Sequence, residues 1–336
     1  VLRFTVRRVL QLAVVIAVLA LLLFAWLRSL PGGPASALCG DRCSEAARAQ
    51  LQTSLGLDRS LPVQLGSFVG RVVRGDFGTS TGVQPGVSAS QIFLDRFPAT
   101  VELALAAIVL AVVLGVPLGY LSARRRGTWL DNVGVVGSLI GVAVPVFFLA
   151  FLLKYVFAVK LGWLPSAGRQ AVDINSTTVT GFATLDGLLT GEYDATLDAL
   201  KHLVLPAVTL ATIPFAVVFR ITRAAVLDVL DEDYVRTAEA KGLLARTIRS
   251  RHVLRNAMLP VVTTIGLQVG ALLAGAVLTE TVFAYRGLGD ALATAFRERD
   301  YSVLQVLILA AAIVYVVVNL LVDLSYALID PRVRTR

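Results

Sequence analysis

The sequence predicts an all-α polytopic membrane protein with six transmembrane helices and both termini on the cytoplasmic side. Three observations predict it. Hydrophobic residues make up 56% of the 336 positions and charged residues only 16%, far from the balance of a soluble domain of this length. The apolar residues gather into six stretches long enough to cross a hydrocarbon core, which takes ~20 residues of helix. Arginine and lysine alternate between dense and sparse in the segments between these stretches.

The first span runs from about Val9 to Leu27, after Arg3, Arg7 and Arg8. A cleaved signal peptide has similar flanks, with Ala35-Ser36-Ala37 as its cleavage site. The apolar run exceeds the ~7–15 residues of a signal core, however, and Leu38 stands before Cys39 where a lipoprotein signal needs a small residue, so the helix is expected to stay. The second span covers Val101 to Ala123, the third Val133 to Val159 and the fourth Leu203 to Phe219. The fifth covers Leu259 to Phe283 and the sixth Val303 to Leu324. Pro117, Pro145, Pro206, Pro214 and Pro260 fall within or at the start of these spans, where each removes a backbone donor and is expected to bend its helix.

Orientation follows from the short loops. The N-terminal arginines, Arg124 to Arg126, the stretch from Arg220 to Arg255, and Arg332, Arg334 and Arg336 mark the cytoplasmic side. The net charge of +8 therefore reads as topology and anionic lipid contact, not as nucleic-acid binding. Organisation follows: a tail and first helix at 1–30, an external segment at 31–97, a core with five spans at 98–326 containing a cytoplasmic loop at about 223–257, and a cytoplasmic tail at 327–336. The external segment places Leu65, Phe68, Val69 and Val72 at helical spacing, an amphipathic helix for the membrane surface, the spans or a docking protein.

Cys39 and Cys43 are the only cysteines and both lie in the external segment, where they form a disulfide or remain two free thiols. No histidine or further cysteine stands nearby to complete a metal site. His202 and His252 lie apart, beside span boundaries. Asp76-Phe77-Gly78 matches a kinase triplet, but no catalytic loop accompanies it. No catalytic constellation is present, and no lysine is followed by Ser or Thr, so the phosphate-cradling GxxxxGK[ST] loop is missing. ATP and magnesium, if they drive this protein, bind a separate ATPase, and no cofactor is expected in this chain. A carrier driven by an ion gradient would place ionisable groups deep in its spans. Here Glu102, Lys154, Glu280 and Asp323 sit near span ends, which weighs against that alternative.

The cytoplasmic loop carries the functional argument. Its residues Asp233, Tyr234, Val235, Arg236, Thr237, Ala238, Glu239, Ala240, Lys241 and Gly242 predict a short helix, capped at its start by Asp233 and ended by a left-handed turn at Gly242. A second short helix follows from Arg246. Ala238 and Gly242 lie four apart, a small-residue face that another protein's backbone could approach.

These residues resemble the permease subunits of the dipeptide, oligopeptide and nickel ABC importers, and most closely the dipeptide permease subunit usually placed first of its pair. The stretch Glu232 to Gly242 carries the likeness, with Arg251-His252, Leu254-Arg255-Asn256-Ala257 and Leu259-Pro260. Leu55-Gly56-Leu57-Asp58, Gly75-Asp76-Phe77-Gly78, Gly162-Trp163-Leu164-Pro165, Glu280-Thr281-Val282-Phe283 and Asp330-Pro331-Arg332 extend it over almost the whole chain. Importers in general begin this motif with Glu-Ala-Ala; here Arg236, Thr237 and Ala238 hold those places, a departure similar to that of the peptide branch.

The resemblance implies a type I importer permease in a bacterial inner membrane. Its expected partners are a homologous permease, P-loop ATPase subunits and an external solute-binding protein. The helix formed by Tyr234, Arg236, Thr237, Ala238, Glu239, Ala240, Lys241 and Gly242 is then expected to couple to the ATPase. The implied cargo is di- or oligopeptides, with a nickel chelate, haem or another small solute as the alternative.

Overall fold

A computed structural model describes residues 2–29, 35, 44–54, 57–174 and 176–329. Among the described residues the regular structure is helical, and the only strand-like feature is one bridge between Thr79 and Ser88. Cys39 and Cys43 lie outside the described residues.

The helices in chain order are α1 (Leu2–Ser29), α2 (Glu45–Ser54), α3 (Leu61–Val73), α4 (Ala89–Arg124), α5 (Trp129–Ala143) and α6 (Val146–Leu153), which continues as a wider π turn over Lys154–Lys160. There follow α7 (Ala183–Thr190), α8 (Tyr193–Leu230), α9 (Asp233–Ala240), α10 (Arg255–Phe283), α11 (Leu288–Arg297) and α12 (Tyr301–Ile329). Among the described residues three helices are long and apolar enough to cross a membrane: α4, α8 and the Tyr301–Leu320 part of α12. Two further candidates are bent pairs, Trp129–Ala143 with Val146–Lys160 at 103°, and Ala245–Leu272 with Ala276–Phe283 at 54°. The apolar part of α1, Ala13–Trp26, is shorter.

The third span expected from sequence is thus broken. Proline disfavours helical backbone at the residue before it, and Val144 accordingly lies extended, with φ −78° and ψ 125°, ahead of Pro145. The other prolines do less: α8 runs unbroken through Pro206 and Pro214, and α10 through Pro260.

The chain divides into two compact units. The first takes the described residues up to Thr100 together with Val179–Phe182 and Arg286–Val317. Its core joins Ala89 and Ile92 of α4 to Ala291, Ala295, Val303 and Leu307, and a neighbouring cluster joins Ala20 and Leu23 of α1 to Phe68 of α3 and Leu309. The buried Asp300 carboxylate fixes the 80–83 turn: it accepts from the Ser80 hydroxyl and from the backbone N–H groups of Thr81, Gly82 and Val83 at 3.1, 3.0 and 3.1 Å.

The second unit takes Val101–Thr178, Ala183–Tyr285 and the described residues from Val318. Its centre is α8, which packs on α5, α7 and α10. This helix buries small residues, among them Ala195, Ala199, Ala207, Ala211, Ala216, Thr209 and Thr222, and exposes Leu197, Leu200, Val204 and Val208. Small residues on the inner face let the helices of a bundle in lipid approach closely, where backbone proximity replaces hydrophobic burial as the packing force. The α4 helix meets α8 the same way. Gly115 and Gly119 sit four apart, and a Cβ at Gly119 would lie 2.6 Å from the Phe219 carbonyl oxygen.

Candidate functional site

The helix α9 stands out as a short amphipathic element between two long apolar ones. Its N-cap is Glu232, with extended backbone and no side-chain cap bond, one residue earlier than expected, so Asp233 occupies the first helical position. Asp233 still places a negative charge in the first turn, which suits the positive end of the helix dipole. Its pairing with Arg236 is loose, at 3.8 Å between exposed side chains.

The other end of α9 closes as the sequence predicts. Gly242 adopts φ +70°. Its N–H donates to the Glu239 carbonyl at 2.9 Å, and the N–H of Leu243 donates to the Ala238 carbonyl at 3.2 Å. These two bonds form a Schellman motif, which needs a left-handed residue at that place and so favours glycine. The chain then passes through a short helical turn, Ala245–Thr247, and a π segment, Ile248–Leu254, into α10.

One face of α9 is taken. Val235 and Ala238 are 1% and 4% exposed, and they join Ala123 of α4, Ala225 and Val226 of α8, and Val253 and Ala257 on the returning chain in one apolar cluster. Ala238 thus packs against this chain's own residues instead of offering a small-residue face to another protein. Tyr234, Arg236, Thr237, Glu239, Ala240, Lys241 and Gly242 remain exposed, followed by Leu243 and Leu244, the latter at 77%. The Tyr234 hydroxyl accepts a hydrogen bond from the Asn256 amide at 3.0 Å, tying the outer side of α9 to α10. The site is therefore a small exposed surface of mixed polarity, mounted rigidly on three long helices.

A polar cluster absent from the sequence reading braces the ends of α4, α5 and α8. Asp131, 3% exposed at the start of α5, accepts two hydrogen bonds from the Arg223 guanidinium, at 2.7 Å from Nε and 2.8 Å from Nη2. It also accepts from the Gly127 N–H at 2.9 Å and from the Ser122 hydroxyl. A bidentate pair of this kind fixes orientation as well as distance. One carboxylate thus joins α4, the turn after it, α5 and α8. The available signal was an acid five residues after the run Arg124-Arg125-Arg126 and at the head of an apolar helix.

A second cluster sits at Glu102. This buried carboxylate accepts from Arg169 Nη2 at 2.7 Å, from the Thr184 N–H and hydroxyl at 2.9 and 2.6 Å, and from the Tyr285 hydroxyl at 3.3 Å. Burial, then the Glu102 charge, pushes the Tyr285 phenol above its ordinary range. Nearby, His202 is buried and lies 2.9 Å from the Asp198 carbonyl oxygen through Nδ1. Among the described residues no group of three metal-ligating side chains comes together.

The family model for the binding-protein-dependent transport system inner membrane component matches residues 115–335, a range that contains α9, its apolar seat and Arg223. The chain belongs to this family. Its N-terminal companion model matches residues 1–104. Similar proteins include the dipeptide transport system permease protein of Alkalihalophilus pseudofirmus, 38% identical over 99% of each chain. The di/tripeptide transport system permease protein of Pseudomonas aeruginosa is 44% identical over 94% of this chain and 93% of its own. A solved structure of the MetNI methionine ABC transporter in an inward-facing conformation shares the fold, with a TM-score of 0.51 at 16% identity, covering 69% of this chain and 93% of that one. This family member is thus a membrane permease component of a binding-protein-dependent transport system, as the motif around Gly242 led us to expect.

Proposed function

We propose that this permease is one of two homologous membrane subunits of an ATP-driven importer of di- or oligopeptides in a bacterial inner membrane. It crosses the bilayer six times with both termini inside, the bent pairs each serving as one span. It pairs with a homologous permease, engages P-loop ATPase subunits through Tyr234, Arg236, Thr237, Glu239, Ala240, Lys241 and Gly242, and receives cargo from an external solute-binding protein. ATP and magnesium act in the ATPase subunits, and no bond of the cargo is broken here.

The observation that carries the coupling role is the mounting of α9. Its inner residues Val235 and Ala238 lock into α4, α8 and the start of α10, while its outer residues stay exposed. A push on the outer surface by a closing ATPase pair therefore moves three long helices together. The cargo rests on the peptide-permease relatives, which match this chain at 38–44% identity over nearly its full length.

The test is purification of the complex from its native membrane, followed by ATP hydrolysis in liposomes with and without peptide-loaded binding protein. A sister permease and P-loop ATPases are expected to copurify, and loaded binding protein to stimulate hydrolysis. Gly242→Arg is expected to abolish that stimulation. A chain that purifies alone and moves solute on an ion gradient would overturn the reading.

A further inference from the structure

In the first unit α2, α3, the Asp76–Thr79 turn and α12 line a half-open pocket of about 190 Å³. At ~30 Å³ per water it holds roughly six waters, the space of an amino-acid-sized solute. Its wall is not that of a packing defect. Phe68 and Phe77 provide apolar surface, whereas Arg71, Asp76, Ser302 and Gln305 bring a cation, an anion, a hydroxyl and an amide to the same space.

One of these groups is buried without a partner. Gln305 is 4% exposed, and its amide nitrogen has no hydrogen-bond partner. A buried amide donor left unpaired costs ~1–3 kcal/mol, so a native chain retains one mainly where something else fills its need. Burial also lowers the proton affinity of the Arg71 guanidinium, against which Asp76 pulls through its charge. A partly desolvated guanidinium gains from an incoming carboxylate, which it can grip with two parallel bonds. Asp76 is exposed and fixes its turn by accepting the Gly78 N–H through Oδ1 at 3.2 Å, and its carboxylate lines the same pocket.

We propose that this pocket is a binding site for a small zwitterion, a free amino acid with an apolar side chain. Its carboxylate lies against Arg71, its ammonium against Asp76, its side chain against Phe68 and Phe77, and Ser302 and Gln305 complete the hydrogen bonding. The site is independent of α9 and of any ATPase contact, so it stands or falls separately from the transport reading.

The experiment is equilibrium binding of radiolabelled L-leucine to the full chain in nanodiscs, with leucinamide and N-acetyl-leucine as competitors. Saturable binding of one leucine per chain is expected, with each competitor at least about tenfold weaker because it lacks one charge. Arg71→Gln and Gln305→Met are each expected to weaken leucine about tenfold or more. Should either variant fail to fold, Asp76→Asn serves in its place, since it keeps the acceptor for Gly78 and removes only the charge. Absence of saturable binding, equal binding of the blocked analogues, or leucine affinity unchanged in Asp76→Asn would each overturn the proposal and leave the pocket to water.

Discussion

At the scale of single residues, backbone conformation and buried charge decide most. Ala284 ends α10 in the left-handed region, with φ 46° and ψ 41°, where a Cβ costs about 1–2 kcal/mol. Glycine recovers that strain at a cost of ~0.5–1 kcal/mol in unfolded-chain entropy. Ala284→Gly is therefore expected to stabilise the protein by up to about 1 kcal/mol, read as a higher melting temperature in detergent. Gly242 is the converse case: a Cβ there meets nothing within 4 Å, so Gly242→Ala strains the turn by ~1–2 kcal/mol without a clash. Coupling should weaken in Gly242→Ala and fail in Gly242→Arg, a graded series in receptor-stimulated ATP hydrolysis. Asp131 offers a third test. Asp131→Asn leaves the Arg223 guanidinium without its counter-charge and is expected to cost about 2–3 kcal/mol, whereas Asp131→Leu combined with Arg223→Met should cost less than either single change. Thermal melts of Asp131→Asn, the two single changes and the double variant check the order.

At the scale of elements, the packing of α4 on α8 depends on absent side chains. Gly115-Val116-Pro117-Leu118-Gly119 places glycine at both ends of a five-residue stretch, and at Gly119 a Cβ would meet the Phe219 carbonyl oxygen and, at 2.9 Å, the Thr222 side chain. Backbone cannot yield as a flexible side chain does. Gly119→Ala is thus expected to destabilise by ~1–3 kcal/mol and Gly119→Leu to abolish correct assembly, while Gly137→Ala, where a Cβ meets nothing within 4 Å, should be nearly silent. Detergent-resistant folded yield distinguishes the three. The positions of these helices were legible but not their ends: the expected spans at Val101–Ala123, Leu203–Phe219 and Leu259–Phe283 lie inside α4, α8 and α10, yet α4 begins at Ala89 and α8 runs from Tyr193 to Leu230. A bend was expected at each of five prolines, and which of them breaks its helix was not legible, because a proline's effect depends on what surrounds it. Pro145 follows an extended residue and splits its helix, whereas Pro206 and Pro214 ride within α8.

At the scale of the whole molecule, the sequence alone determined that the chain is helical and built for lipid, that it lacks a nucleotide-binding loop, and that the stretch ending at Gly242 links it to importer permeases. Those properties are carried locally, by composition, by apolar run length and by a left-handed turn that favours glycine, so they survive in a linear string. Only the tertiary structure decided which face of α9 is exposed. Helical spacing put Ala238 and Gly242 together, yet Ala238 is buried among Ala123, Val226 and Val253, residues far apart in sequence. The same holds for Asp131 with Arg223, for Glu102 with Arg169 and Tyr285, and for the pocket that gathers Arg71, Asp76 and Gln305. Each arises where helices meet, and the pairing of helices is set by long-range steric fit and charge complementarity that no local pattern encodes.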